Sequence, residues 1–299
     1  MKHAFLITVY KDNIQIVKLV QLLCQLYEGD IFIHIDNKSN ISINDIRRYL
    51  CSTENDRTFI YKKYKVNWGS FNHLRAQLFL MRTANDRDVY RYYHLLTGQD
   101  LPLIKSQEEL DGLLDGKSYI YFGVFPNEGW TRGGMSRVDK YHFLNLLNLK
   151  KKWQLSLYNK ILKFQYALGL TNNRKFETWC YNSPYWSLNA REVRLILKFI
   201  SRRKSFLKIF EYCYIPEEIF YSTLLNYLGQ LDYLEGDSKR FEDWDEEENP
   251  GNVPAVLGLK HIPILMSNPN KCIFARKFDL SIPQSKLAYE TIYNKLKYE

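Results

Sequence analysis

Cysteine is scarce and unpaired in this chain. Cys24, Cys51, Cys180, Cys213 and Cys272 are odd in number and scattered, with no C-x-x-C pair. That excludes a disulfide framework and a cysteine zinc site, and it fits a reducing compartment. Long apolar runs are missing too. The opening "MKHAFLITVYKDN" holds only about seven apolar residues in a row, too few for a secretion signal and better suited to a buried first strand. No segment reads as a bilayer span, so a cytoplasmic protein is expected. Linkers and repeats are also lacking, and residues 1–299 are expected to form one domain. RNP-like, zinc-finger and KH-like motifs are absent, so nucleic acid is not an expected partner.

What is present is a core and a positive charge. The 299 residues are 45% hydrophobic and 25% charged, ordinary for a folded soluble chain. Aromatics are in excess, with 23 Tyr, 17 Phe and 6 Trp, as suits a core, an interface or a surface that stacks on sugars. The net charge of +9 favours phosphate-bearing partners.

The first half alternates strand and helix. "AFLITVY" (4–10), "IFIHID" (31–36), "RTFIYK", "VYRYYHLL" (89–96) and "SYIYFGV" (118–124) read as strands. Helices are expected over 13–28, 43–50, 69–86 and 106–116, the last opening on a Ser106–Glu109 capping box. This order predicts an α/β fold with a mixed, mostly parallel sheet flanked by helices, binding ligands beyond the carboxyl ends of its strands. The second half predicts a Gly- and Arg-containing loop (125–140), a basic helix (150–170), a short strand (183–189) and a long basic amphipathic helix (190–210). That last helix reads as a solvated face or as a surface docking on anionic membrane.

Several clusters sit where such sheets bind ligands. "FIHIDNKS" closes a strand with His34, Asp36 and Lys38, suited to a nucleoside or equally to an Asx turn at Asp36–Asn37. "LLTGQDLPL" exposes Gln99 and Asp100 in a turn that Gly98 and Pro102 would form unaided. "FARKFD" places Arg276 and Lys277 between aromatics, with Arg240 upstream; such cations neutralise a diphosphate or merely line a solvated basic face. A second acid after the 31–36 strand, the usual partner for a divalent cation, is missing because Lys38 stands there. The literal D-x-D, Asp243–Asp245, lies in the acidic stretch 242–250 and reads as a solvated loop. "YIPEEIFYSTLLNYL" (214–228) puts Pro216, Glu217 and Glu218 at a helix start, where acids complement the dipole and can also serve as a base.

Taken in order, "HIDNKS", "VNWGSFNHLRAQLFLM", "YYHLLTGQDLPL", "YWSLNAREV", "IPEEIFYSTLL" and "IFARKFD" resemble the core-2/I-branching enzymes, glycosyltransferase family 14, which also contains the peptide O-xylosyltransferases. The likeness runs from about residue 4 to about residue 280. It points to a bacterial-type member, without the membrane anchor and lumenal disulfides of vertebrate ones. The resemblance implies a GT-A fold and inverting transfer of a sugar, GlcNAc or xylose, from a UDP-sugar to a saccharide or lipid-linked acceptor, in surface polysaccharide or glycoconjugate synthesis. It implies no metal or other cofactor. Glu218 takes the catalytic-base role, with Glu217 in place of an aspartate. His34, Asp36, Lys38, Arg240, Arg276 and Lys277 are implied on the donor side, with Arg240 and Lys277 stabilising the leaving UDP. Trp68, Gln99, Asp100, Tyr185, Trp186 and Glu217 are implied on the acceptor side. The helix start is expected to keep Glu218 ionised. A non-catalytic sugar- or nucleic-acid-binding module is the competing class.

Overall fold

A computed structural model describes residues 1–172, 176–244 and 253–298. Twelve strands occur among them: β1 (His3–Val9), β2 (Gly29–Ile35), β3 (Thr58–Tyr61), β4 (Tyr92–Thr97), β5 (Leu101–Pro102), β6 (Ser118–Tyr119), β7 (Phe122–Val124), β8 (Cys180–Asn182), β9 (Ser187–Asn189), β10 (Leu234–Glu235), β11 (Arg240–Glu242) and β12 (Phe274–Arg276). The main sheet has seven strands in the order β10-β6-β9-β4-β1-β2-β3. β1 pairs parallel with β2 and β4, β2 with β3, and β10 with β6, while β9 runs antiparallel to β4 and β6. This is the mixed, mostly parallel α/β layout expected of a GT-A-like fold. Smaller sheets, β11-β12-β5 and β7-β8, stand beside it.

The reason lies in β1, β2 and β4, whose side chains are nearly all buried. Strands apolar on both faces need helices on both faces. Helix Asn13–Leu26 covers one side, capped by Asp12, whose carboxylate accepts the Gln15 amide. Helices Phe71–Arg87 and Ala190–Arg202 cover the other, burying Leu74, Leu78 and Met81, and Val193, Ile196 and Ile200. Gly29 sets the close approach of β1 and β2: its φ is 147° and a Cβ there would lie 1.8 Å from the His3 carbonyl oxygen. Only glycine fits that contact.

Several boundaries differ from the sequence expectation. The strand expected over 118–124 is two, β6 and β7, in different sheets. The strand expected over 183–189 is β9 alone, preceded by β8, and the helix over 190–210 breaks into Ala190–Arg202 and Lys204–Leu207. Helix Pro283–Tyr298 was not anticipated. Its Ala288, Tyr289 and Ile292 pack with Leu22 and Ala275.

Candidate functional site

The parallel strands end together, with Thr8, His34 and Thr97 in register. Beyond that edge, the Gly69 carbonyl accepts the Ile215 amide, and the Arg137 carbonyl accepts the Tyr214 amide at 2.8 Å. The chain before Pro216 is therefore strapped between two loops. Ile215 holds φ 51°, and Pro216–Glu218 forms a 3₁₀ turn; the regular helix is Phe220–Tyr227. The two glutamates thus precede the helix rather than occupy its first turn. Asn182 clamps the turn from behind: its amide donates to the Glu217 carbonyl, and its oxygen accepts from the Ser222 amide and hydroxyl.

The two carboxylates are treated differently. Glu217 is buried, and its Oε1 accepts from His73 Nδ1 at 2.7 Å. Its Oε2 is buried without a hydrogen-bond partner. His73 sits in the first turn of Phe71–Arg87, with Nε2 3.4 Å from Thr8 Oγ1. Burial pulls the His73 pKa down, but the Glu217 carboxylate, supported by Glu218 and Asp36, outweighs it and leaves the pKa raised. Glu218 keeps a quarter of its side chain, 26%, open to solvent, and Arg137 donates to its Oε2 at 3.0 Å. The guanidinium lies 4.6 Å from the Trp130 ring centre. Burial pushes the Glu218 pKa up to about 7, with the neighbouring Glu217 charge adding to the push and Arg137 and His73 opposing it. Desolvation therefore overrides the helix-start effect, which was expected to keep this carboxylate ionised.

Trp68 is 49% exposed and meets Tyr214 edge to face at 5.7 Å, an aromatic wall beside the carboxylates. Across the edge, Lys277 follows β12 and is half-buried. Among the described residues its ammonium has no hydrogen-bond or ion-pair partner. Burial, Arg276 and Lys11 all lower its pKa, against a small opposing pull from Asp279. Lys11, just beyond β1, is ion-paired with Asp279. Lys277 and Lys11 repel each other electrostatically, and an anion beside Lys277 would relieve that repulsion.

Four other expected site residues make internal contacts at the same edge. His34 is buried, accepts the Tyr64 amide through Nε2, and has its pKa lowered to about 4 by burial. Asp36 Oδ1 accepts the Lys38 and Val66 amides, and the Lys38 ammonium bonds the Val66 carbonyl and Asn67. "HIDNKS" thus ties down the 64–67 segment that leads to Trp68. Gln99 binds the Phe278 carbonyl and positions the segment after Lys277.

Five residues sit too deep for the roles expected of them. Trp186 is fully buried against Tyr221 and cannot stack on a sugar. Asp100 is fully buried, accepting the Thr97 amide and Arg276 Nε. Arg276 bonds Asp100 and Glu242 and lies 3.8 Å over the buried Tyr185 ring. Arg240 spends both terminal nitrogens on Ser187 Oγ and the carbonyls of Trp186 and Ser238. It ends a buried polar chain that runs through Ser187, His94 and His3 to Asp111. Arg276 and Asp100 thus form a core ion pair, Trp186 and Tyr185 are core aromatics, and Arg240 is buried on neutral acceptors with its Nε unpartnered.

His73, Arg137, Asn182 and Lys11 were not singled out in the sequence. The D-x-D falls partly outside the described residues, at Asp245. Its Asp243 accepts from His261 at 2.8 Å. Among the described residues no three His, Cys, Asp or Glu side chains converge as a metal site. A surface hollow of about 760 Å³ beside Phe176, Arg203 and Tyr227 has neither carboxylate in its lining.

Compared with curated proteins, the chain finds no match. The family model described as Core-2/I-Branching enzyme matches residues 3–264, most of the chain. The chain belongs to the Core-2/I-Branching enzyme family and is a glycosyltransferase.

Proposed function

We propose that this glycosyltransferase inverts configuration in a single displacement, using a UDP-sugar donor and a saccharide hydroxyl as acceptor, with Glu218 as general base. One observation carries the reading: Glu218 is the carboxylate at the carboxyl edge that keeps solvent access while its pKa is pushed up to about 7. A base poised near the working pH is well matched to proton transfer, a contribution worth ~10²–10⁴ in rate.

In the step, the acceptor oxygen bonds the anomeric carbon as the bond from that carbon to the diphosphate oxygen breaks. The acceptor proton passes to Glu218, and the electron pair leaves with UDP. Arg137 orients the carboxylate through Oε2. His73 holds Glu217 behind it, so the second acid serves positioning rather than proton transfer. Lys277, with Lys11 near it, neutralises the leaving diphosphate, in place of the Arg240–Lys277 clamp implied by resemblance. Lys11 is already positioned by its ion pair with Asp279, and Lys277 keeps its ammonium for the diphosphate, an electrostatic role. Trp68 offers a ring face to the acceptor sugar. GlcNAc and xylose are the first donors to try.

The test is UDP release from a panel of UDP-sugars, with and without saccharide acceptors. Acceptor-dependent release from one donor with an inverted product supports the reading. A retained anomeric configuration, or no release from any UDP-sugar, overturns it.

A further inference from the structure

Helix Lys152–Ala167 is built unlike the other long helices. Only Tyr158 and Gln165 are buried, and none of its apolar residues joins a core cluster. Its outward face instead carries Trp153 (65% exposed), Leu157 (41%) and Phe164 (60%) at spacings of four and seven residues. One helical stripe holds all three, with Lys160 on the same stripe and Lys152 and Lys163 flanking it. From residue 140 to residue 172 the sequence contains no Asp or Glu. An exposed apolar stripe whose charged neighbours on the helix are all lysines is the make-up of a helix that lies in a bilayer interface, Trp at headgroup depth and cations on anionic lipid.

We propose that this face docks the enzyme on an anionic lipid surface. A second copy of the chain fits poorly, because a self-paired face would set lysines against lysines. The placement suits the chemistry. Tyr158 OH lies 2.8 Å from His142 Nδ1, and His142 packs on Tyr214, which touches both Trp68 and the Arg137 guanidinium. Lys150 lies over Tyr10 at the end of β1. The docked face thus backs directly onto the acceptor side of the site, and a lipid-linked saccharide is the acceptor class it presents; that last step rests on the transfer reading above. Helix Ala190–Arg202, the basic helix that the sequence suggested for docking, buries its apolar face in the core and offers no such stripe.

Flotation of the full chain with phosphatidylcholine vesicles, with and without phosphatidylglycerol, tests this in the absence of any sugar donor. Retention is expected on the anionic vesicles and should fall as salt rises. Leu157→Glu and Phe164→Glu should each lower the partition about tenfold or more. Replacing Lys152, Lys160 and Lys163 together by Gln should remove the preference for anionic lipid. These sites are exposed, so melting and transfer to a soluble acceptor should be unchanged. Absence of retention, equal retention on neutral vesicles, or indifference to Leu157→Glu overturns the proposal, as does a dimer in sedimentation that the same variants dissolve. Because no donor is present, a failed transfer assay leaves this result standing, and the reverse also holds.

Discussion

The pH profile of transfer should carry the signature of Glu218. A carboxylate with a pKa of about 7 is ionised to about one-tenth at pH 6 and about nine-tenths at pH 8. The rate should therefore climb roughly tenfold across that interval. A carboxylate at the ordinary value of 4.5 would leave the profile flat there. Arg137 supplies the independent handle, because its guanidinium opposes protonation through the 3.0 Å bond to Oε2. Losing a hydrogen bond to a charged group costs ~1.5–3 kcal/mol. In Arg137→Gln the acid limb should thus move up by about one to two pH units, cutting the rate at pH 7 about five- to fiftyfold while sparing the rate at high pH. Folding gives a second readout. A raised folded pKa means that the protonated carboxyl favours the fold below the unfolded value near 4.5, and that this contribution is lost as pH rises through about 7. Glu218→Gln should therefore gain stability over the native chain as pH rises through that window, by at most about 3 kcal/mol. Initial rates of UDP release between pH 5.5 and 9, with thermal melts of the variant pair, make the comparison. A flat rate profile between pH 6 and 8, or an acid limb that moves down in Arg137→Gln, refutes the reasoning.

Other consequences are more local. His73→Ala leaves the Glu217 carboxylate buried and unpaired, which should cost about 3 kcal/mol in melts at pH 6. Adding Glu217→Gln should restore much of it. The raised His73 pKa also predicts that the pair's contribution is complete below about pH 6.5 and fades as pH climbs through the folded value, so the penalty should shrink in alkaline melts. Asp100→Ala should act on stability, by up to ~3 kcal/mol since Arg276 keeps only Glu242, and any surviving enzyme should keep its KM for acceptor; a selective rise in that KM would return Asp100 to the acceptor site. Activity should persist in EDTA, since the leaving diphosphate is assigned to lysines. Loss restored by Mn²⁺ would contradict that assignment.

The sheet was legible because its signal is local. The continuous apolar runs of β1, β2 and β4 and the helical spacing over 13–26 and 71–87 are written in consecutive residues, and those elements stand within a few residues of expectation. The site is harder, because burial is a tertiary property. Arg276 and Asp100 look alike in sequence whether they face a cleft or each other, and only their 3.1 Å contact decides it. The same holds for Trp186, whose aromatic face suited a sugar until the fold packed it on Tyr221. His73 stood inside a quoted motif, but its value comes from Glu217, which lies 144 residues away. Helix Lys152–Ala167 had its lysines in plain view; that its apolar residues face outward depended on which side the fold covered.

The most direct measurement is Glu218→Gln assayed for transfer beside UDP binding by calorimetry. Transfer should fall at least a hundredfold, within the ~10²–10⁴ span of general-base help, while UDP binds as in the native enzyme. Native-like transfer by the variant would contradict the assignment of Glu218 as the base.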